Sequence, residues 1–127
     1  MTISHSHFYS LLNEKSKKGI TAHKDDSMII AQVSIAPVGV GVDLSIYVKK
    51  AVQILKNETE RCETNAMATV VETKTIQQLF NAVNHAHSKV LTMPNVQRVI
   101  TEIKIDHRRD KNATIDSKIQ AATNKEQ

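Results

Sequence analysis

The run Ile103-Lys104-Ile105-Asp106-His107-Arg108-Arg109-Asp110-Lys111 constrains this chain most, because an alternating strand pattern passes into a mixed-charge segment with no turn residue between them. Reading back from it, Val99, Thr101, Ile103 and Ile105 share one face, and Arg98, Ile100, Glu102, Lys104 and Asp106 share the other. A period of two puts one face on a core and leaves the other to solvent or a partner. Such a strand does not belong to a closed sandwich. It offers a surface.

The rest of the chain supplies matching pieces. Ile29, Ala31, Val33 and Ile35 alternate with Gln32 and Ser34, predicting a second half-polar strand that ends at Pro37-Val38-Gly39-Val40-Gly41. Glycines here permit positive φ or close backbone approach, so a specialised strand-to-helix turn is expected. Asp43 or Ser45 then caps a helix to about Lys56, with Leu44, Val48, Ala51, Val52 and Leu55 as its buried stripe. Two short strands follow, about 61–67 and 69–74, joined tightly near Ala68. Thr75-Ile76-Gln77-Gln78 fits a capping box, and Ile76, Leu79, Phe80, Val83, His87, Val90 and Leu91 form the stripe of a second helix. Met93-Pro94-Asn95 stops it, and a strand from Val96 to Asp106 closes the series. Residues 1–27 read as a flexible leader, residues 28–111 as the folded domain, and residues 112–127 as a polar tail with weak helical character.

The order strand, helix, strand, strand, helix, strand, with one apolar face on each element, predicts an α+β ferredoxin-like βαββαβ fold. Its four-stranded antiparallel sheet carries two helices on one face. First and last strands are then neighbours, so Gln32 and Ser34 lie beside Glu102 and Lys104 on the uncovered face. Aromatic residues make up only 3% of the chain, so the core is built from aliphatic side chains.

Charge and motifs exclude several functions. The net charge of +4 is dispersed among interleaved acids, and Tyr47 and Phe80 both fall on helices, which argues against nucleic-acid recognition on the sheet. No apolar run reaches the roughly 18 residues of a membrane span. With no secretory signal pattern and a single cysteine, Cys62, a cytoplasmic setting is expected. His85 and His87, two residues apart on a helix, diverge by about 200° and cannot chelate one ion. His87 reads as a core-edge histidine with one hydrogen bond, and Cys62 as a small strand residue. No nucleophile–base set, paired-acid motif or phosphate loop is present, so neither a catalytic site nor a metal site is expected. Glu72 and Glu102 are acids on strands, serving solvent, an ion pair, a partner or a ligand. Arg108 and Arg109 are placed either to contact phosphate or to pair across an oligomer interface.

Ala31 through Gly41, then Ser45-Ile46-Tyr47-Val48, together resemble the opening of the small thiamine-binding proteins of ferredoxin-like fold. Met67, Thr69 and Glu72 are similar to that family's hairpin, His87 to its second-helix histidine, and Arg98-Val99 with Lys104 through Lys111 to its closing signature. The resemblance covers about residues 28–111. It implies a non-enzymatic, homo-oligomeric protein, dimer or tetramer, that holds thiamine or a related pyrimidine as ligand and needs no cofactor. On that reading Gln32, Ser34, Glu72 and Glu102 match the donor–acceptor edge and the cationic ring, with Met67 as an adaptable apolar wall. The chain departs from the family pattern at Ala66-Met67-Ala68-Thr69, Glu72-Thr73 and Asp106-His107, where proline is usual at Ala66, glycine at Ala68 and Thr73, and aspartate at His107. The alternative these departures raise is a structural or regulatory oligomer that has lost ligand binding.

Overall fold

The structure, a computed structural model, describes residues 27–124. Alternation over Ile29–Pro37 forms β1, with Ile29, Ala31, Val33 and Ile35 buried on its inner side. Gly39 and Gly41 then take φ of 86° and 101°, and nothing lies within 4 Å of where a Cβ would sit on either. Positive φ alone, and not crowding, calls for glycine at both positions. The turn delivers the chain into α1 (Ser45–Glu58), followed by β2 (Arg61–Thr64), β3 (Thr69–Thr73), α2 (Ile76–Leu91), β4 (Val99–His107) and α3 (Ile115–Thr123).

The four strands form one antiparallel sheet in the order β2-β3-β1-β4. One core unites the inner face of β1 and Val71 of β3 with Tyr47, Ala51 and Leu55 of α1 and Leu79, Ala82, Val83, Ala86 and Val90 of α2. This is the ferredoxin-like arrangement, with β1 and β4 side by side. Gln32 sits opposite Lys104 and Ser34 opposite Glu102.

Several local expectations shift by a residue or a face. The α1 stripe is centred on Tyr47, Ala51 and Leu55, leaving Val48 at its margin. Likewise Ala82 and Ala86 occupy the buried line of α2, while Phe80 is 48% exposed and Leu91 44%. Small residues win these positions because α1 and α2 pack closely over the sheet. The N-cap of α1 is Leu44, and Asp43 supports the helix start by accepting the Ser45 N–H at 3.0 Å. Those hydrogen bonds from Ser45 hold the Asp43 carboxyl below its ordinary range. At α2, Thr75 Oγ1 accepts the Gln78 N–H, and Gln78 Oε1 accepts the N–H of Lys74.

The hairpin strands are shorter than expected, because Asn65 ends β2. Its Oδ1 accepts the N–H groups of Met67 and Ala68, both at 2.9 Å, and its own N–H donates to Ala68 O at 2.9 Å. An Asx turn therefore occupies 65–68. The last strand starts at Val99, three residues later than expected, although Val96 is buried.

The polar tail expected after residue 111 is, over Ile115–Thr123, a third helix lying against one end of the sheet's outer face. Thr114 and Ser117 close a capping box, and Ala113 and Ile115 are buried. Glu72 accepts the Ile115 N–H, Asp116 pairs with Arg61, and Lys118 pairs with Asp106 at 2.6 Å. Ile30, which lies between Glu72 and Asp106 on this face, is buried together with Glu72, while Asp106 stays exposed. The leader expected at 1–27 lies, apart from Ser27, outside the described residues.

Gly39→Ala and Gly41→Ala should each lower stability by about 1–2 kcal/mol, the cost of a left-handed backbone on a residue with a Cβ. Chemical denaturation would show it as a lower midpoint with an unchanged slope. Glu72→Ala should leave the buried Ile115 N–H unpaired, costing about 1–3 kcal/mol. Hydrogen exchange should then rise at residues 113–118 before it rises in β1.

Candidate functional site

A length mismatch in the sheet creates the site. β1 pairs with β4 along its whole length, from Ile29 opposite His107 to Pro37 opposite Val99. Its pairing with β3 stops at Val33 opposite Thr69, where the Asn65–Ala68 turn folds the hairpin back. Ser34–Pro37 therefore run on without a neighbour on that side. The gap is a cavity of about 210 Å³, walled by Val48, Ala51, Val52 and Leu55 of α1 on one side and the turn on the other. Thr64, Asn65 and Thr69 give it polar edges. Ligand pockets for larger molecules run from about 300 Å³ upward, so this one suits a single ring with its substituents projecting.

Three of the expected ligand residues, Gln32, Ser34 and Met67, line this cavity together. Met67 stands at the mouth, 93% exposed. Glu102 and Glu72 do not line it. Glu102 is on the outer face opposite Ser34, and neither it nor Lys104 ion-pairs with another described residue. Glu72, expected on an open face, is 6% exposed because the start of α3 covers it and its carboxylate is engaged by the Ile115 N–H. The open polar surface is accordingly confined to the end of the sheet that carries Gln32, Ser34, Glu102 and Lys104.

Arg108 and Arg109 lie beyond β4 and away from the cavity. Arg108 is clamped by Asp110, whose carboxyl the guanidinium holds below its ordinary range, while Arg109 is exposed. The histidines separate as the helical geometry requires. His85 meets Glu58 of α1, and His87, half-buried, bonds Thr101 of β4 at 2.7 Å. Cys62 sits on the inner side of β2 at the core margin, where burial pushes its thiol pKa up. No group of three or more His, Cys, Asp or Glu residues is placed to hold a metal ion among the described residues. No helix there is long and apolar enough to cross a membrane.

Sequence reasoning missed Thr64, Asn65 and the α1 wall as site components. An asparagine before three small or flexible residues was the available signal for the turn. Val48 and Val52 were read as core because a stripe alone does not distinguish a packed flank from a cavity wall.

Comparison with known proteins fits this architecture. Residues 31–123 match the family model described as thiamine-binding protein. A UPF0045 protein of Methanocaldococcus jannaschii is 44% identical over 93 residues, covering 73% of this chain and 90% of that protein. The UPF0045 protein YqgV of Bacillus subtilis is 33% identical over 99 residues, covering 74% and 93%. A crystal structure of the Methanocaldococcus jannaschii protein superimposes with a TM-score of 0.69 at 43% identity, over 75% of this chain and 95% of that one. A Thermotoga maritima structure assigned to thiamine biosynthesis or salvage shares the fold, with a TM-score of 0.64 at 15% identity over 75% and 98% of the two chains. This chain belongs to the thiamine-binding protein family.

Proposed function

We propose that the protein binds thiamine or a related aminopyrimidine without altering it chemically, as a cytoplasmic homo-oligomer. The observation that carries this reading is the meeting of Gln32, Ser34 and Met67 at one ring-sized cavity beside an apolar helix wall. Gln32 offers an amide, Ser34 a hydroxyl, and Met67 a deformable cover over a planar ring. Glu102, across the strand from Ser34, is the acid best placed to attract a cationic ring projecting from the mouth. The assignment of the Thermotoga maritima relative to thiamine biosynthesis or salvage supports the same ligand class.

The hairpin substitutions do not favour a chain that has lost its ligand. Among the described residues, only Asn95, Gly39 and Gly41 have positive φ. Ala68 and Thr73 thus stand where this backbone does not need glycine, and Asn65 holds the turn in its place.

Assembly is supported by the free edge of β4. Val99, Thr101, Ile103 and Ile105 direct their main-chain groups away from β1, and no strand lies beside them among the described residues. A long unpaired edge without proline is a template for another copy of the same strand.

Isothermal titration with thiamine should give saturable heat. Gln32→Ala and Ser34→Ala should each weaken binding about tenfold, the scale of one hydrogen bond, with Phe80→Ala unchanged. No heat at millimolar ligand with folded protein would reject the proposal. Native mass spectrometry should find an even number of subunits. Ile105→Pro, which removes an edge N–H but no bond to β1, should shift the population to monomer.

A further inference from the structure

The main chain of β1 borders this cavity along with its side chains. The Val38 N–H donates to Arg98 O at 2.8 Å in the same register as the β1–β4 ladder. Even-numbered residues of β1 therefore bond to β4, and odd-numbered ones face β3. Asn65 N–H to Ala68 O fixes the matching phase on the hairpin, so Thr69, Val71 and Thr73 turn their peptides toward β1. Ile29, Ala31 and Val33 meet those partners. The next odd residue, Ile35, has none: no hydrogen bond from a described residue closes on its N–H or its carbonyl. Ile35 is only 6% exposed and lines the cavity. A main-chain N–H and carbonyl left without a protein partner at a cavity are available to a ligand there.

We infer that the Ile35 peptide reads the ligand, its carbonyl accepting from an amino group and its N–H donating to the adjacent ring nitrogen, so that the ring extends the sheet in place of β3. This rests on the pyrimidine-binding reading of the cavity and names the atoms that select within it. A strand residue presents its N–H and C=O to the same side, which matches a donor beside an acceptor on one ring edge. The opening is one residue long. Pro37, the next residue facing that way, has no N–H, so the edge cannot continue as a ladder, and an added peptide strand would find a single residue to pair with. The ring lies in the plane of the sheet, its face against Val48 and Val52, while Gln32 and Ser34 flank it from outside.

Amide NMR on the isotope-labelled full chain tests this, using the aminopyrimidine half of thiamine and the same ring without its amino group. The expected result is a downfield shift at the Ile35 N–H larger than at any other amide, with its exchange slowed about tenfold, and about tenfold weaker binding of the ring that lacks the amino group. Gln32→Ala should lower affinity for both rings and keep that ratio, because the main chain sets it. Shifts at Val48 and Thr69 with Ile35 unmoved, and equal affinity for the two rings, would overturn this inference and leave the cavity as the ligand site. No shift anywhere at millimolar concentrations of either ring would overturn both. An Ile35 response to an extended peptide but to neither ring would replace the small-molecule reading with strand addition.

Discussion

The unequal pairing of β1 shapes everything else in this molecule. Nine residues pair in register with β4, but only the first five pair with β3. Had the hairpin been longer, β3 would have covered Ile35 and filled the space under α1. The mismatch is set by Asn65, whose side chain occupies two turn N–H groups and so ends β2 at Thr64. One local hydrogen-bonding preference thereby leaves a gap beside the end of β1. The core beneath is unaffected, since Val33, Ile35, Ala51 and Leu55 stay packed on the inner side.

Architecture was legible because each element states its face in its own period. The alternation of β1 and β4 and the Thr75 helix start need no distant information, and together they force the neighbouring of Gln32 with Lys104 and of Ser34 with Glu102. Failures occurred where the outcome depends on what packs opposite. Phe80 and Leu79 are adjacent in an apolar stripe, yet Leu79 is fully buried and Phe80 half exposed. The choice is made by the position of α1 and the sheet, which periodicity cannot see.

Glu72 and α3 illustrate the same limit. An acid on a strand reads as solvated or ligand-facing, and a segment such as Ile115-Asp116-Ser117-Lys118 reads as too polar for a core. Each supplies what the other lacks. The carboxylate of Glu72 takes an N–H at the helix start, where negative charge is favoured, and Ile115 enters the layer that Ile30 begins. Arg61 and Asp106, on the two outer strands, hold Asp116 and Lys118 in turn. Only three-dimensional closure shows that these charges satisfy one another.

That closure also limits how copies of the chain would meet in the proposed assembly. With α3 over one end, a face-to-face contact between sheets has only the Gln32–Lys104 and Ser34–Glu102 end to use. The cavity opens on the β3 side of β1, and the unpaired edge of β4 lies on the other. Edge-to-edge assembly through β4 would therefore lengthen the sheet without blocking the cavity. Face-to-face assembly would bring a second Glu102 and Lys104 toward the mouth, adding a partner's charge to the surroundings of the ligand. The first mode would make the proposed binding independent of subunit number, and the second would couple them, because desolvating Glu102 and Lys104 is tolerable only when each finds an opposite charge. On the proposed function, the geometry of the open face would tie the affinity of the site to which of the two contacts an assembly used.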